Sequence, residues 1–494
     1  MIYLLYHNGM AITRGYEGLP IVEAIYKCAQ VNPDDYLLVH EKHVDVDTFK
    51  ESLPELHHQA YFFSNYNHTH EDFGYVEDGP FLNINKKVRY PTWLKGTAIV
   101  CIHAKLVTMT AITHASEKDY LYWLNSIGRL SRPLGVLNYQ IPTAIQNEEF
   151  KEKDLYRFVK QHYKTSWVFI LFLCHLWYEK RFPISSFIKA LFYKKKHLKI
   201  QIQELQKNRE VDTTINFDYD VVIPTMGRPN YLKKVMEDLN EQRFTPNKLI
   251  IIEQNADVNA TSSLDFMEEK RWHFEIIHEF TSITGACRAR NRAISLSNAS
   301  WILLFDDDVR VQKDFSDKML GFINERKEKC ITFSCLQKGE QERQHTFKQW
   351  ESFGSGCSIV HREIVERCKF DMALEHGYGE DVDYGMQIRQ AGFDVIYAPQ
   401  IQLLHLKAPV GGFRKPHFFP WKEDEVQPKP SPQIMYHRKK NYTAKQLLGY
   451  KVTLFIKFYK DYSIKNPISY YKYFKKAWNK SMYWSQKLAP DAKV

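Results

Sequence analysis

The chain has 494 residues, 44% hydrophobic and 26% charged, fractions that exclude global disorder and collagen-like structure. That length holds about two to four domains, each able to bury a core. The formal net charge of +10 is concentrated at one end: from His437 onward, 14 Lys and Arg residues face only Asp461 and Asp491. The body of the chain is therefore near neutral. No RNA- or DNA-binding motif accompanies the basic tail, so no specific nucleic-acid partner is expected. Eight cysteines without a C-x-x-C pair suggest reduced thiols and an intracellular protein.

In chain order, IYLLYH, IVEAIYKCAQ, DYLLVH and QAYFFS alternate short apolar runs with helical patterns. They predict an α/β domain with a parallel sheet over residues 1–148. MIYLLYHNGM lacks a basic n-region and reads as a first strand rather than a signal peptide. No glycine-rich phosphate loop follows, and in HVDVD the expected role of Asp47 is to cap the helix DTFKESL. The domain's role is not readable. Residues 149–215 form a helical, aromatic and basic connecting region. It contains WVFILFLCHLW (Trp167 to Trp177), about half the ~20 apolar residues needed to cross a bilayer.

Residues 216–410 carry a second α/β pattern. DYDVVIPT, KLIIIEQN and WILLFDDD read as buried strands, and each ends in polar groups: Thr225 and Arg228, Glu253 and Asn255, Asp306 to Asp308. Open α/β sheets bind ligands at the carboxyl ends of their strands. Adjacent carboxylates at such an end repel one another unless a cation compensates, and an oxygen donor set favours Mg²⁺ or Mn²⁺ over zinc. The alternative is a solvated acidic turn. GYGEDVDYGMQIRQAG places Glu380 and Asp381 at a helix N-terminus, where Asp381 is either a cap or a general base. His405 ends the strand-like IQLLHL, as a core residue or a metal ligand.

VVIPTMGRP, LIIIEQNAD, GACRARNRAI, ILLFDDDV, GSGCSIVHRE and GYGEDVDYGMQIRQAG together resemble the family 2 glycosyltransferases of the GT-A fold, over about residues 217–409. The resemblance implies a GT-A domain (Rossmann-like, for nucleotide-diphospho-sugars) preceded by the first α/β domain and followed by a basic aromatic helical tail, 411–494. It implies an inverting, metal-dependent, hexosyltransferase-type enzyme. The donor would be a nucleotide sugar, with UDP-sugars favoured, and the acceptor a hydroxyl of a glycan or lipid-linked molecule, in bacterial surface polysaccharide synthesis. Residue by residue it implies nucleotide-binding roles for Pro224, Thr225, Arg228, Glu253, Arg288, Asn291, Asp306 and Asp307. Glu253 departs from the family's usual Asp. Asp306 and Asp308 match the D-x-D pair, with Mn²⁺ or Mg²⁺ held by Asp308, Asp306 and His405. Asp381 matches the catalytic base, Glu380 is its acceptor-side neighbour, and Gly354 to Gly356 match a loop beside the donor sugar.

A nucleotidyltransferase is the alternative enzyme, but VIPTMGRP has one Gly and one Arg where a glycine-rich basic loop is expected. A non-catalytic sugar-nucleotide scaffold would be expected to have lost a carboxylate. The run Trp167 to Trp177 and the tail stripe Leu448, Val452, Phe455, Tyr459 and Tyr462 mix aromatics with lysines. This suggests a cytoplasmic protein held peripherally on the anionic inner face of the cell membrane.

Overall fold

A computed structural model describes all residues except 57–60, 66–70, 110–118, 144–149, 197–216, 270, 410–416, 462 and 492–494. The chain forms two compact units, Met1–Asn208 with Arg438–Tyr470, and Arg209–His437 with Tyr471–Val494.

The first unit contains a seven-stranded sheet of β1 (Ile2–His7), β2 (Met10–Ala11), β3 (Tyr36–Glu41), β4 (Tyr61–Asn65), β5 (Tyr90–Pro91), β6 (Ile99–His103) and β7 (Leu137–Ile141), in the order β2-β1-β3-β6-β4-β7-β5. Helix Ile21–Val31 makes the crossover between parallel β1 and β3. However, β6 is antiparallel to both β3 and β4, so the sheet is mixed rather than parallel. Parallel neighbours need a crossover, usually a helix. Among the described residues between β4 and β6, the chain offers only a single 3₁₀ turn, Glu71–Tyr75, and the two-residue β5.

Helices Ile21–Val31 and Tyr120–Ser131 bury Ile25, Trp123 and Leu124 with Leu37, Val39, Phe62 and Val100 of the sheet. A second cluster joins Phe73, Trp93 and Tyr122 to the helices Glu152–His162, Ser166–Cys174 and Ile184–Phe192. Asp47 is the first residue of its helix rather than the cap, and its N–H donates to Asp45 Oδ1 at 3.0 Å. The tail stripe turns inward. Leu448 and Val452 pack on the second cluster, and the rings of Phe455 and Tyr459 lie 4.9 and 5.0 Å from Tyr470. Tyr462 lies outside the described residues.

The second unit is built on β8 (Tyr219–Thr225), β9 (Lys248–Gln254), β10 (Glu275–Thr281), β11 (Trp301–Phe305), β12 (Val309–Arg310), β13 (Cys330–Gln337), β14 (Lys348–Gln349), β15 (Cys357–His361) and β16 (Ile396–His405). Their order is β10-β9-β8-β11-β15-β13-β16-β12, with β14 beside β16. β10, β9, β8 and β11 are parallel. The carboxyl ends of β8, β9 and β11 therefore lie along one edge, as the three polar strand ends predicted. Val222, Ile250, Ile302 and Leu304 pack there against helix Ala286–Leu296 and against Tyr384 and Ile388 of helix Glu380–Gln390. The short β12 pairs with the end of β16, Val309 opposite His405, and this pairing carries His405 to the acidic strand end.

Candidate active site

The three consecutive aspartates after β11 meet three different environments. Asp307 points into the fold, 3% exposed, and accepts from Thr225 Oγ1 and Arg228 Nη1, each at 2.7 Å. Burial pushes its pKa up to about 6, opposed by Arg228 and Thr225. Asp307 thus locks the turn after β8 to the end of β11. Asp308 Oδ2 accepts from the Ala408 N–H at 2.9 Å and from Arg228 at 3.3 Å, and Oδ1 faces His405 Nε2 at 3.4 Å. Burial raises its pKa, but the bonds from His405 and Ala408 outweigh that and hold it below the ordinary carboxylate range. Asp306 is the most open of the three and meets Arg290 Nη2 at 3.2 Å. Its N–H donates to the Gly356 carbonyl at 3.2 Å, and a β-carbon at Gly356 would collide with its carboxylate.

Opposite these groups, Glu380 and Asp381 open helix Glu380–Gln390 behind the left-handed Gly379 (φ 115°). Burial and the neighbouring charge of Asp381 push Glu380 up to about 7. Asp381 is also raised by burial, tempered by Arg290 and by hydrogen bonds from Ser355. Its Oδ1 is buried and accepts no hydrogen bond.

The cation that makes this cluster tolerable is Arg290, 6% exposed. It interacts electrostatically with Asp306, Asp381 and Glu380, and its Nε and Nη1 are buried without hydrogen-bond partners. Arg288 and Asn291 of the same helix match the family pattern in sequence, whereas Arg290 does not stand out there. Helical phase could have found it, because Cys287, Arg290 and Ala293, three apart, share the buried face.

The other expected nucleotide contacts are distributed unevenly. Pro224, Thr225 and Arg228 line the β8 turn beside the aspartates. Glu253 is buried at the end of β9, but its oxygens already accept from Ser262 Oγ (2.6 Å), Ser263 N and Oγ (3.0 and 2.8 Å) and face His278 Nε2 (3.0 Å). Asn291 staples the backbone of Phe370, donating to its carbonyl at 2.8 Å and accepting from its N–H at 2.9 Å. Arg288 is exposed, and its N–H donates to Glu375 Oε2 at 2.9 Å. Glu375 also accepts from Cys287 N at 3.0 Å, so it caps this helix from across the fold, a role that sequence proximity cannot reveal.

As a donor set, Asp308 Oδ1 and His405 Nε2 suit a hard divalent ion. Their 3.4 Å separation is near the roughly 3 Å between adjacent ligands on an ion with bonds of about 2.1 Å. Asp72, His175 and Glu179 of the first unit also cluster within 4.8 Å. Lys445 and Arg181 already pair with Asp72 and Glu179, so that group is charge-compensated without a metal.

Residues 220–370 match the protein-family model described as "Glycosyl transferase family 2". This segment is a family 2 glycosyltransferase domain. The match contains the β8 turn, Arg290 and the three aspartates, and the mixed sheet around them is a GT-A fold. No curated protein matches the chain. Among solved structures, S. aureus TarS 1-349 in complex with UDP-GlcNAc is similar at 13% identity and a TM-score of 0.35, over 56% of this chain and 76% of that one. The mannosyltransferase PcManGT from Pyrobaculum calidifontis, with GDP-Man and Mn²⁺, is similar at 14% and 0.33, over 57% and 75%. GalNAc-T7 with UDP, GalNAc and Mn²⁺ is similar at 14% and 0.34, over 40% and 44%.

Proposed function

We propose that the family 2 glycosyltransferase domain transfers a sugar, with inversion, from a nucleoside-diphosphate donor to a hydroxyl of a glycan or lipid-linked acceptor. The observation carrying this is the arrangement of Asp306, at the end of β11, with Glu380 and Asp381, at a helix N-terminus, around the buried Arg290, with Asp308 two residues on beside His405. Asp308 and His405, with Asp306 beside them, would hold Mn²⁺ or Mg²⁺. When bound, the ion supplies charge neutralisation for the departing diphosphate.

Asp381 takes the proton from the acceptor hydroxyl. Burial favours that proton transfer by raising its affinity for the proton, and a base with a pKa nearer the working pH is more effective. Its unpartnered Oδ1 is the atom assigned to this task. Glu380 orients the acceptor beside it. Arg290 keeps the carboxylates from repelling one another. With one base and direct displacement at the anomeric carbon, the configuration inverts. Glu253 is too fully bonded internally to serve as a base-specific contact, so the preference for a uridine donor rests on the family resemblance alone. Arg288 and Asn291 remain proposed nucleotide neighbours, Asn291 through the backbone it fixes.

The biological setting that fits is bacterial surface polysaccharide synthesis, with the enzyme peripheral on the inner face of the cell membrane. Among the described residues no helix is long and apolar enough to cross a membrane. A screen of nucleotide sugars for donor hydrolysis and thermal shift, with Mn²⁺ and with chelator, tests the reading. One donor class should respond only when metal is present. Full turnover in excess chelator, or no response to any nucleotide sugar, would overturn it. Release of pyrophosphate from a nucleoside triphosphate would favour a nucleotidyltransferase.

A further inference from the structure

In a water-soluble helix pair the apolar stripes face inward. The pair Ser166–Cys174 and Ile184–Phe192 departs from this. The first helix buries Val168, Leu171 and Cys174, yet its Phe169 and Leu173, and Trp177 in the π-helical turn His175–Glu179 that continues it, are 47%, 40% and 61% exposed at spacings of four. The second presents Ile184, Ile188 and Phe192, again four apart, at 53%, 47% and 86%, and Phe182 in the connection is 68% exposed. Seven large apolar side chains are thus exposed within 24 residues of chain. The two helices are joined through Phe187, whose ring lies 5.2 Å from Phe169 and 4.5 Å from Phe172, so the two stripes belong to one hairpin.

The exposed charge along them is mostly positive, and the acids packed beside them, Asp72, Glu152 and Glu179, pair with Arg181. Lys164, Lys180, Lys189 and Lys194 are exposed at the ends and along the flank of the stripes. The one acid between Lys164 and Lys196 is Glu179, which is paired with Lys445 and Arg181. Aromatic and aliphatic side chains rimmed by lysines match the boundary between acyl chains and anionic headgroups. A protein partner's polar rim would supply both signs of charge. The C-terminal helices Ala444–Asp461 and Pro467–Asp491 expose fewer such side chains over a longer stretch, Ile456, Ile468, Tyr471 and Tyr483, while Tyr470, Phe474, Ala477 and Trp478 are buried.

We propose that the hairpin 166–192 is the docking surface for an anionic lipid interface, and that it, rather than the basic C-terminal helices, seats the enzyme on a membrane. The proposal rests on the membrane-peripheral part of the function given above and deepens it by assigning the surface.

The test is flotation of the full chain with phosphatidylcholine vesicles, with and without phosphatidylglycerol, with donor hydrolysis and oligomeric state measured on each variant. The combined variant Trp177→Ser, Phe182→Ser, Phe192→Ser should bind anionic vesicles at least about tenfold more weakly. Lys180→Glu with Lys189→Glu should lose the salt-sensitive part of binding. A tail variant, Ile468→Ser with Tyr471→Ser and Tyr483→Ser, should bind as the parent does. All three should keep donor hydrolysis. Loss of binding in the tail variant alone would overturn the hairpin assignment and leave peripheral attachment standing. Equal binding to neutral vesicles would overturn the anionic preference. No vesicle binding by a chain that still hydrolyses donor would overturn both hairpin and membrane attachment while sparing the transferase. Self-association abolished by the hairpin variant, without vesicle binding, would make a second copy the occupant and overturn the proposal.

Discussion

A guanidinium with two buried nitrogens lacking hydrogen-bond partners is costly unless carboxylates surround it, and Arg290 has three nearby. Removing one partner of a buried charge cluster leaves the others uncompensated. Arg290→Ala should therefore cost about 3–5 kcal/mol in unfolding free energy, and Arg290→Lys should recover part of it by keeping the charge but not the planar fork. Denaturant unfolding of the two variants checks this, and unchanged stability in Arg290→Ala would contradict it. Glu380 gives a second handle. Its folded pKa of about 7 lies above its ordinary 4.5, so between those values the folded chain keeps a proton that the unfolded chain has lost. By linkage, stability falls as pH rises through that window and levels off above it. Asp307, raised from 3.8 to about 6, adds a slope of the same sign at lower pH. In Glu380→Gln the decline between pH 6 and 7 should disappear, with a gain on the order of 2 kcal/mol at pH 8. Thermal melts across pH would show it, and an unaltered slope would remove Glu380 as its source.

The strands that place these groups announce themselves in sequence. VVIPT, LIIIEQ and WILLF are short apolar runs that break into polar residues, and each became a parallel strand ending on the same edge. Position within a strand end was harder to read. Nothing in DDD says that its middle residue turns inward while the outer two face the site, because that depends on Thr225 and Arg228, about 80 residues away in sequence. The pairing of β12 with β16 was equally hidden, since β12 has only two residues. In the first unit the α/β alternation was visible, but strand direction was not. Direction depends on what spans the gap between β4 and β6, and polar segments carry little signal about that. The loop before β15 shows how local the demands are. Gly356 lets the Asp306 carboxylate lie against the backbone, so Gly356→Ala should displace it and lower metal-dependent turnover at least about tenfold with little change in melting temperature. Normal turnover would show that Asp306 does not need that position.

At the scale of the whole molecule, two α/β units divide the labour unequally. The chemistry-bearing residues assembled by sequence and structure lie in the second, while the first carries the exposed apolar hairpin. In the tail, Leu448 and Val452 contribute packing, which the sequence could not show, because helical spacing of apolar residues describes a face without saying what covers it. Removal of metal should abolish transfer, with Mn²⁺ or Mg²⁺ restoring it. His405→Ala should weaken the metal response more than the donor response, as a titration of activity against Mn²⁺ would reveal. The role of Asp381 is tested most directly by the turnover and donor affinity of Asp381→Asn, which keeps the shape of the side chain and removes the proton acceptor. Turnover should fall at least about a hundredfold with donor affinity largely kept, and near-normal turnover would contradict the assignment of Asp381 as the base.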